Sequence, residues 1–202
     1  MKHLLSFVLC LLSLQAFGQV TEQNVGKSIL RLQSGYTMPS SEKGIMSGSG
    51  NGVNFKLSID DPIDKRDNWL LGAGVTWHRA TFSNLPHSDV PANIYVFMCR
   101  TGFKHHLTKN FNSWIVLEFG GAYMQSLHQY DGLRYRTKEG TIALGLEFGF
   151  DYYFSDAWGV CASLDVQRYG NNYLNHGSNT NLSEKPLNFN PGSLDLGVVY
   201  RF

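Results

Sequence analysis

The feature that most restricts this chain is a two-residue alternation of apolar with polar or small side chains, repeated in eight separate stretches. They cover residues 28–36, 51–60, 69–82, 93–107, 113–126, 140–154, 158–169 and 193–202. A period of two sends successive side chains to opposite faces of an extended backbone, so each stretch reads as a β-strand with one apolar face. In the last of them Leu194, Leu196, Val198, Tyr200 and Phe202 share a face, while Ser193, Asp195, Gly197, Val199 and Arg201 share the other. Aromatic residues at 13% and 21 glycines, with little helix-forming sequence, agree with an all-β chain.

Sorting the strands by parity gives two chemically distinct faces. One collects Leu32 and Tyr36, Phe55 and Leu57, Trp69, Val75 and Trp77, Tyr95 and Phe97, Leu117 and Phe119, Leu144, Leu146 and Phe148, and Leu164 and Val166. The other collects nearly every strand charge: Arg31, Lys56, Arg100, Lys104 and Arg201 against Glu118, Glu147, Asp151, Asp165 and Asp195. Gly35, Gly72, Gly74, Gly145, Gly149 and Gly197 have the charged parity as well. Their missing side chains leave room for long charged ones, and buried charges need partners. A soluble β-sandwich would give its solvent face charge without so much glycine, and would not carry an unbroken apolar face to Phe154 and Phe202.

The connections complete the pattern. Residues 61–68, 108–112 and 155–157 are short and turn-like; residues 37–50, 83–92, 127–139 and 170–192 are longer and rich in Gly, Ser, Asn and charge. Short turns at one end and long loops at the other, with strands of about nine or more residues, are the marks of a bacterial outer-membrane barrel. The expected fold is therefore an eight-stranded antiparallel up-and-down transmembrane β-barrel, whose narrow lumen is filled by polar side chains rather than open as a pore. Trp69 and Trp77 lie on one face, roughly 26 Å apart along a strand, and could mark the two interfacial girdles. The closing strand with its terminal Phe202 resembles that of outer-membrane β-barrels, in which this ending is the recognition signal for the barrel assembly machinery. In architecture the chain resembles the small porin-like barrels of the Gram-negative outer membrane.

Residues 1–18 read as an export signal: Lys2, an apolar run from Leu4 to Leu14, and Ala16-Phe17-Gly18 as a cleavage pattern before Gln19. Residues 19–202 are then one barrel domain. A net charge of +1 argues against a nucleic-acid partner. Cys99 and Cys161 fall on opposite faces, so no disulfide framework is indicated. No cofactor motif and no Cys/His metal cluster is visible; His105 and His106 are adjacent and point apart.

The one constellation with catalytic spacing is His176-Gly177-Ser178-Asn179 in the last long loop. An imidazole two residues before a hydroxyl lies on the same face of an extended chain, where it could serve as base to a nucleophile. These residues resemble the His-x-Ser-Asn motif of outer-membrane lipid A deacylases, a likeness confined to residues 175–202. It implies Ser178 as nucleophile and His176 as base. The family's acidic residue falls at Asn190, whose amide could orient the imidazole without the charge of a carboxylate. Two functions therefore stand beside each other. One is a non-enzymatic barrel in contact with outer-membrane lipids and lipopolysaccharide, acting structurally or binding a partner through its outer loops. The alternative is a lipid A acyl-ester hydrolase. A diffusion pore requires a lumen that this sequence fills.

Overall fold

The structure, a computed structural model, describes residues 26–40, 52–85, 88–130, 133–169 and 190–202. Among them are eight strands: β1 (Ile29–Ser40), β2 (Gly52–Pro62), β3 (Trp69–Leu85), β4 (Ser88–His106), β5 (Phe111–Tyr130), β6 (Leu133–Tyr153), β7 (Trp158–Tyr169) and β8 (Asn190–Arg201). Each pairs antiparallel with its neighbour in sequence, and β1 pairs with β8, so the sheet is a closed barrel. Closure leaves the wall without an unpaired edge, which is the condition for a β-structure to lie in hydrocarbon. The expected fold class is the one observed.

The register fixes the barrel's shape. From Tyr36, ladder partners lead one way through Val53 to Arg79. The other way they lead through Leu194, Leu164, Phe148, Ile115 and Phe103 to Trp69. One circuit therefore displaces the register by ten residues on β3, from Trp69 to Arg79. For eight strands at ordinary spacings this shear requires a tilt of about 40° and a backbone radius of about 8 Å. Points of equal height then drift by roughly one and a quarter residues per strand. With that drift Trp69, Phe111, Tyr152, Trp158 and Tyr200 come to nearly one level. Trp77 and Tyr36 share another level about 20 Å away. The two girdles expected from Trp69 and Trp77 are thus present in the wall.

The outward face is apolar on every strand. Leu32, Phe55, Leu117, Phe119, Leu144, Leu164 and Leu196 are each at least half exposed, as a surface in contact with lipid would be. Rings at the inner girdle pack on one another: Trp158 on Tyr200 with centroids 4.6 Å apart, Tyr200 on Phe202 at 5.9 Å, and Trp69 edge-on to Phe103 at 5.7 Å. The Phe202 backbone N–H donates to Ser28 O at 3.0 Å and closes the last strand against the first.

Two of the four long connections differ from expectation. β3 runs to Leu85, paired with Ser88, and β5 runs to Tyr130, paired with Leu133. Residues expected to be loop at 83–92 and 127–139 are thus largely hairpin. β2 pairs with β3 only up to Ala80, and β7 with β6 only up to Ala143, so both hairpins rise beyond the shorter flanking strands. Period-two patterning fades where no bilayer imposes an apolar face, and strand pairing continues without that signal. At the opposite end the β2–β3 turn is built by Asp64, whose Oδ1 accepts from the Asn68 and Trp69 backbone N–H groups, both at 2.7 Å. These bonds, that of Trp69 foremost, hold the Asp64 carboxyl below its ordinary range. They support the turn above that range and are lost as acidification protonates the group.

The lipid face predicts a penalty for charge. Leu117→Arg, near mid-height on β5, is expected to lower stability by about 2–4 kcal/mol in bilayers, read as a shift of the urea midpoint of tryptophan fluorescence in lipid vesicles. An unchanged midpoint would mean that this face does not meet hydrocarbon.

Candidate functional site

The inward parity places a dense set of ionisable groups in a tube too narrow for water-filled space. Arg31 donates from Nε and Nη2 to Asp151 at 3.0 and 2.7 Å and from Nη1 to Asp60 at 2.5 Å. Arg100 donates to Asp60 at 2.9 Å, to Glu147 at 2.8 Å, and to Glu118. Lys56 Nζ completes the chain with Glu118 at 3.0 Å, Glu147 at 2.7 Å and Asp165 at 2.9 Å. All eight residues are buried. The network couples β1, β2, β4, β5, β6 and β7, and so spans most of the barrel's circumference.

Its composition departs from the balanced interior expected from sequence. Three cations, Arg31, Lys56 and Arg100, face five carboxylates, and Asp60 among these has the inward parity but is absent from the charged set named above. Lys104 instead pairs with Asp67 at 2.6 Å in the β2–β3 turn, and the Arg201 guanidinium lies 3.9 Å over the Tyr153 ring. Asp195 is held without a direct ion pair, accepting from Asn54 Nδ2 at 2.8 Å and Ser193 Oγ at 2.9 Å. The reason is height: Lys104 and Arg201 lie close to the inner mouth, several residues below Glu118, Glu147 and Asp165. Asp67, at φ 58°, adopts the left-handed conformation that turns its side chain onto Lys104.

Buried apolar clusters flank the middle of the lumen at both ends, beside polar groups that include Lys104 and Asn112 at one and His78 and Gln167 at the other. Below the middle, Ile29, Leu70, Trp114, Val116, Tyr153, Cys161 and Val199 form a buried apolar layer. Trp114 Nε1 donates to Asp151 at 3.1 Å, and its ring carries the Arg31 guanidinium at 4.4 Å. Above it, Ala80, Ala92, Ile94, Val96, Met98, Ala122 and Ala143 form a second layer. His78 lies buried on β3, with Nδ1 3.1 Å from Thr37 Oγ1. Trp114 is the principal lumen residue that the sequence reading does not single out, and its parity with Glu118 is the signal that carries it. Gly149 accommodates it, since a Cβ there would collide with the indole ring. Gly145 does the same for Glu118, whose Oε2 would be 2.8 Å from such an atom.

The expected site residues divide by position. His176 and Ser178 lie outside the described residues. Asn190 opens β8 in register with Ser40, on the parity of Leu194 and Leu196. His105 and His106 do not converge: both are exposed, and His106 Nδ1 lies 2.8 Å from Asn112 Oδ1. Cys99 is exposed and Cys161 buried, on opposite faces as expected. Among the described residues no group of three His, Cys, Asp or Glu side chains is placed to hold a metal ion.

Comparison with known proteins gives the fold independently. No protein-family model matches the chain, and no curated protein does. Among solved structures, Neisserial surface protein A superposes with a TM-score of 0.59 at 14% identity, covering 89% of this chain and 100% of that one. A major outer membrane protein from Thermus thermophilus gives 0.55 at 12% identity over 87% and 99% of the two chains. Ail, the attachment invasion locus protein of Yersinia pestis, gives 0.53 at 15% identity over 88% and 99%. At these identities the likeness is one of fold: this chain has the architecture of an outer-membrane β-barrel.

The ion network predicts unequal costs for its members. Lys56→Met strands three carboxylates and is expected to destabilise the barrel by about 3–5 kcal/mol. Glu118→Gln removes one of the surplus negative charges and is expected to cost less than half as much. Urea titrations of the two variants and their double mutant in vesicles decide this, and equal single-variant losses would contradict the charge count.

Proposed function

We propose, from the outer-membrane barrel fold that the chain carries, that this protein is exported by residues 1–18 and resides in the outer membrane as a closed, non-conducting barrel. Its role there is structural support of the envelope or surface binding through its outer connections. The observation that carries the reading is the outward face: apolar on all eight strands and bounded by two aromatic levels about 20 Å apart. Such a surface matches the apolar band of roughly 25 Å of a transmembrane barrel. In water it would be a large exposed hydrophobic patch.

The closed lumen supports the non-conducting part. A tube of about 8 Å backbone radius has space for side chains alone, and here a continuous ion network and two apolar clusters fill it. Ile29, Phe202 and the short turns lie at one rim. The long connections lie at the other, where among the described residues the β3–β4 and β5–β6 hairpins stand highest. That rim is the surface on which a partner would be met, with Phe202 at the opposite end available to the assembly machinery.

Three measurements test this. Trypsin added to intact cells is expected to cut only in the outer connections, for instance after Lys43, leaving a protected barrel core. Planar-bilayer recordings are expected to show no steady channels, and conductance of porin size would overturn the filled-lumen reading. Incubation with lipid A followed by mass spectrometry is expected to leave its acyl chains in place. Loss of an ester-linked chain that Ser178→Ala abolishes would establish the hydrolase, with His176 as base and Asn190 as orienting group.

A further inference from the structure

The wall is not uniform on its lipid side. Across β1 to β4, just below the outer aromatic level, Leu32, Leu57, Val75, Trp77, Tyr95 and Phe97 line an open, almost wholly apolar groove of about 350 Å³. The register explains its shape. Phe55, Trp77 and Tyr95 are partners along one row, and the Phe55 and Trp77 rings stack with centroids 6.1 Å apart. In the next row Val75 sits between Leu57 and Phe97, and in the row below Ala73 sits between Ile59 and Cys99. Val75 on β3 forms the floor, between Phe55 and Leu57 on β2 and Tyr95 and Phe97 on β4.

An apolar groove facing hydrocarbon has no hydrophobic reason to choose an occupant, because acyl chains are as apolar as the wall. It holds a particular chain only by close packing and by a polar anchor at its end. The same strand supplies that anchor. Arg79 follows Val75 and Trp77 on the outward parity of β3, is exposed, and makes no ion pair among the described residues. The barrel tilt places it about 5 Å above Trp77, at headgroup depth. A second outward arginine, Arg168, stands just above the same level on β7, outside the residues that line the groove. Cation and trough coincide at β3.

We infer that the β1–β4 groove is a lipid site, in which an acyl chain of outer-leaflet lipid A lies over Val75 while Arg79 binds its phosphate. This rests on the outer-membrane reading above, since that leaflet decides which phosphorylated lipid is met. The guanidinium offers a planar fork suited to phosphate, and such a bond at the edge of the bilayer is charge-assisted.

The test uses the full barrel in detergent micelles, with native mass spectrometry and diphosphoryl lipid A or phosphatidylethanolamine as probes. Wild type is expected to retain one lipid A and to hold phosphatidylethanolamine about tenfold less well. Arg79→Glu and Val75→Trp, which remove the anchor and fill the trough, are each expected to weaken lipid A retention about tenfold. Leu164→Trp, an enlargement on β7 away from the groove, is expected to leave it unchanged. Equal behaviour of Val75→Trp and Leu164→Trp, or equal retention of both lipids, would overturn the site. Insertion into vesicles, read by heat-modifiable migration, is measured first for every variant. A barrel that inserts yet holds no lipid A defeats the groove alone, whereas one that never inserts defeats the membrane reading itself.

Discussion

Barrel closure is the constraint on which the remaining features depend. Eight strands with a ten-residue shear make a tube of about 8 Å radius, so inward side chains from opposite walls must meet at the axis. Arg31 on β1 reaches Asp151 on β6, and Lys56 on β2 reaches Asp165 on β7. Those contacts are between residues more than 100 positions apart in sequence. Desolvating so many charges is unfavourable, and it is offset only because each cation serves two or three carboxylates at hydrogen-bonding distance. The inward glycines follow from the same geometry: Trp114 and Glu118 have space because Gly149 and Gly145 stand opposite.

The outer surface obeys a different requirement. Hydrocarbon offers no hydrogen-bond partner, so the closed ladder satisfies the backbone and apolar side chains cover it. Where that solvent ends, the rule ends too. The β3–β4 and β5–β6 hairpins continue as paired strands past the outer aromatic level without the alternating apolar face. The groove over Val75 is a local relaxation of the same surface, with Arg79 above it on the same strand.

Much of this is legible in the chain without coordinates. The eight strands, their outward faces and the opposite placement of Cys99 and Cys161 follow from parity, and the Trp69–Trp77 spacing along one strand points to two aromatic levels. Asp60 and Trp114 carry the inward parity but do not stand out by composition, one at the end of a strand and the other beside the apolar Ile115. Nothing in the sequence tells that Lys104 turns to Asp67 or Arg201 to Tyr153. His176 and Ser178 are legible as a motif, but they lie outside the described residues, and only Asn190 has a described place, at the start of β8.

The sequence by itself determined which face each side chain takes, because a strand's period of two admits no other assignment once one face is apolar. It also determined that a chain with this pattern closes, since eight such strands leave no edge fit for lipid. The tertiary structure alone decided which residues meet. The height at which a charge sits depends on the shear accumulated around the whole circuit, a property of all eight pairings together. A one-strand reading counts charges but cannot place them. That is why five cations and five acids read as a balanced set became three cations among five carboxylates, with the other two cations at the inner mouth.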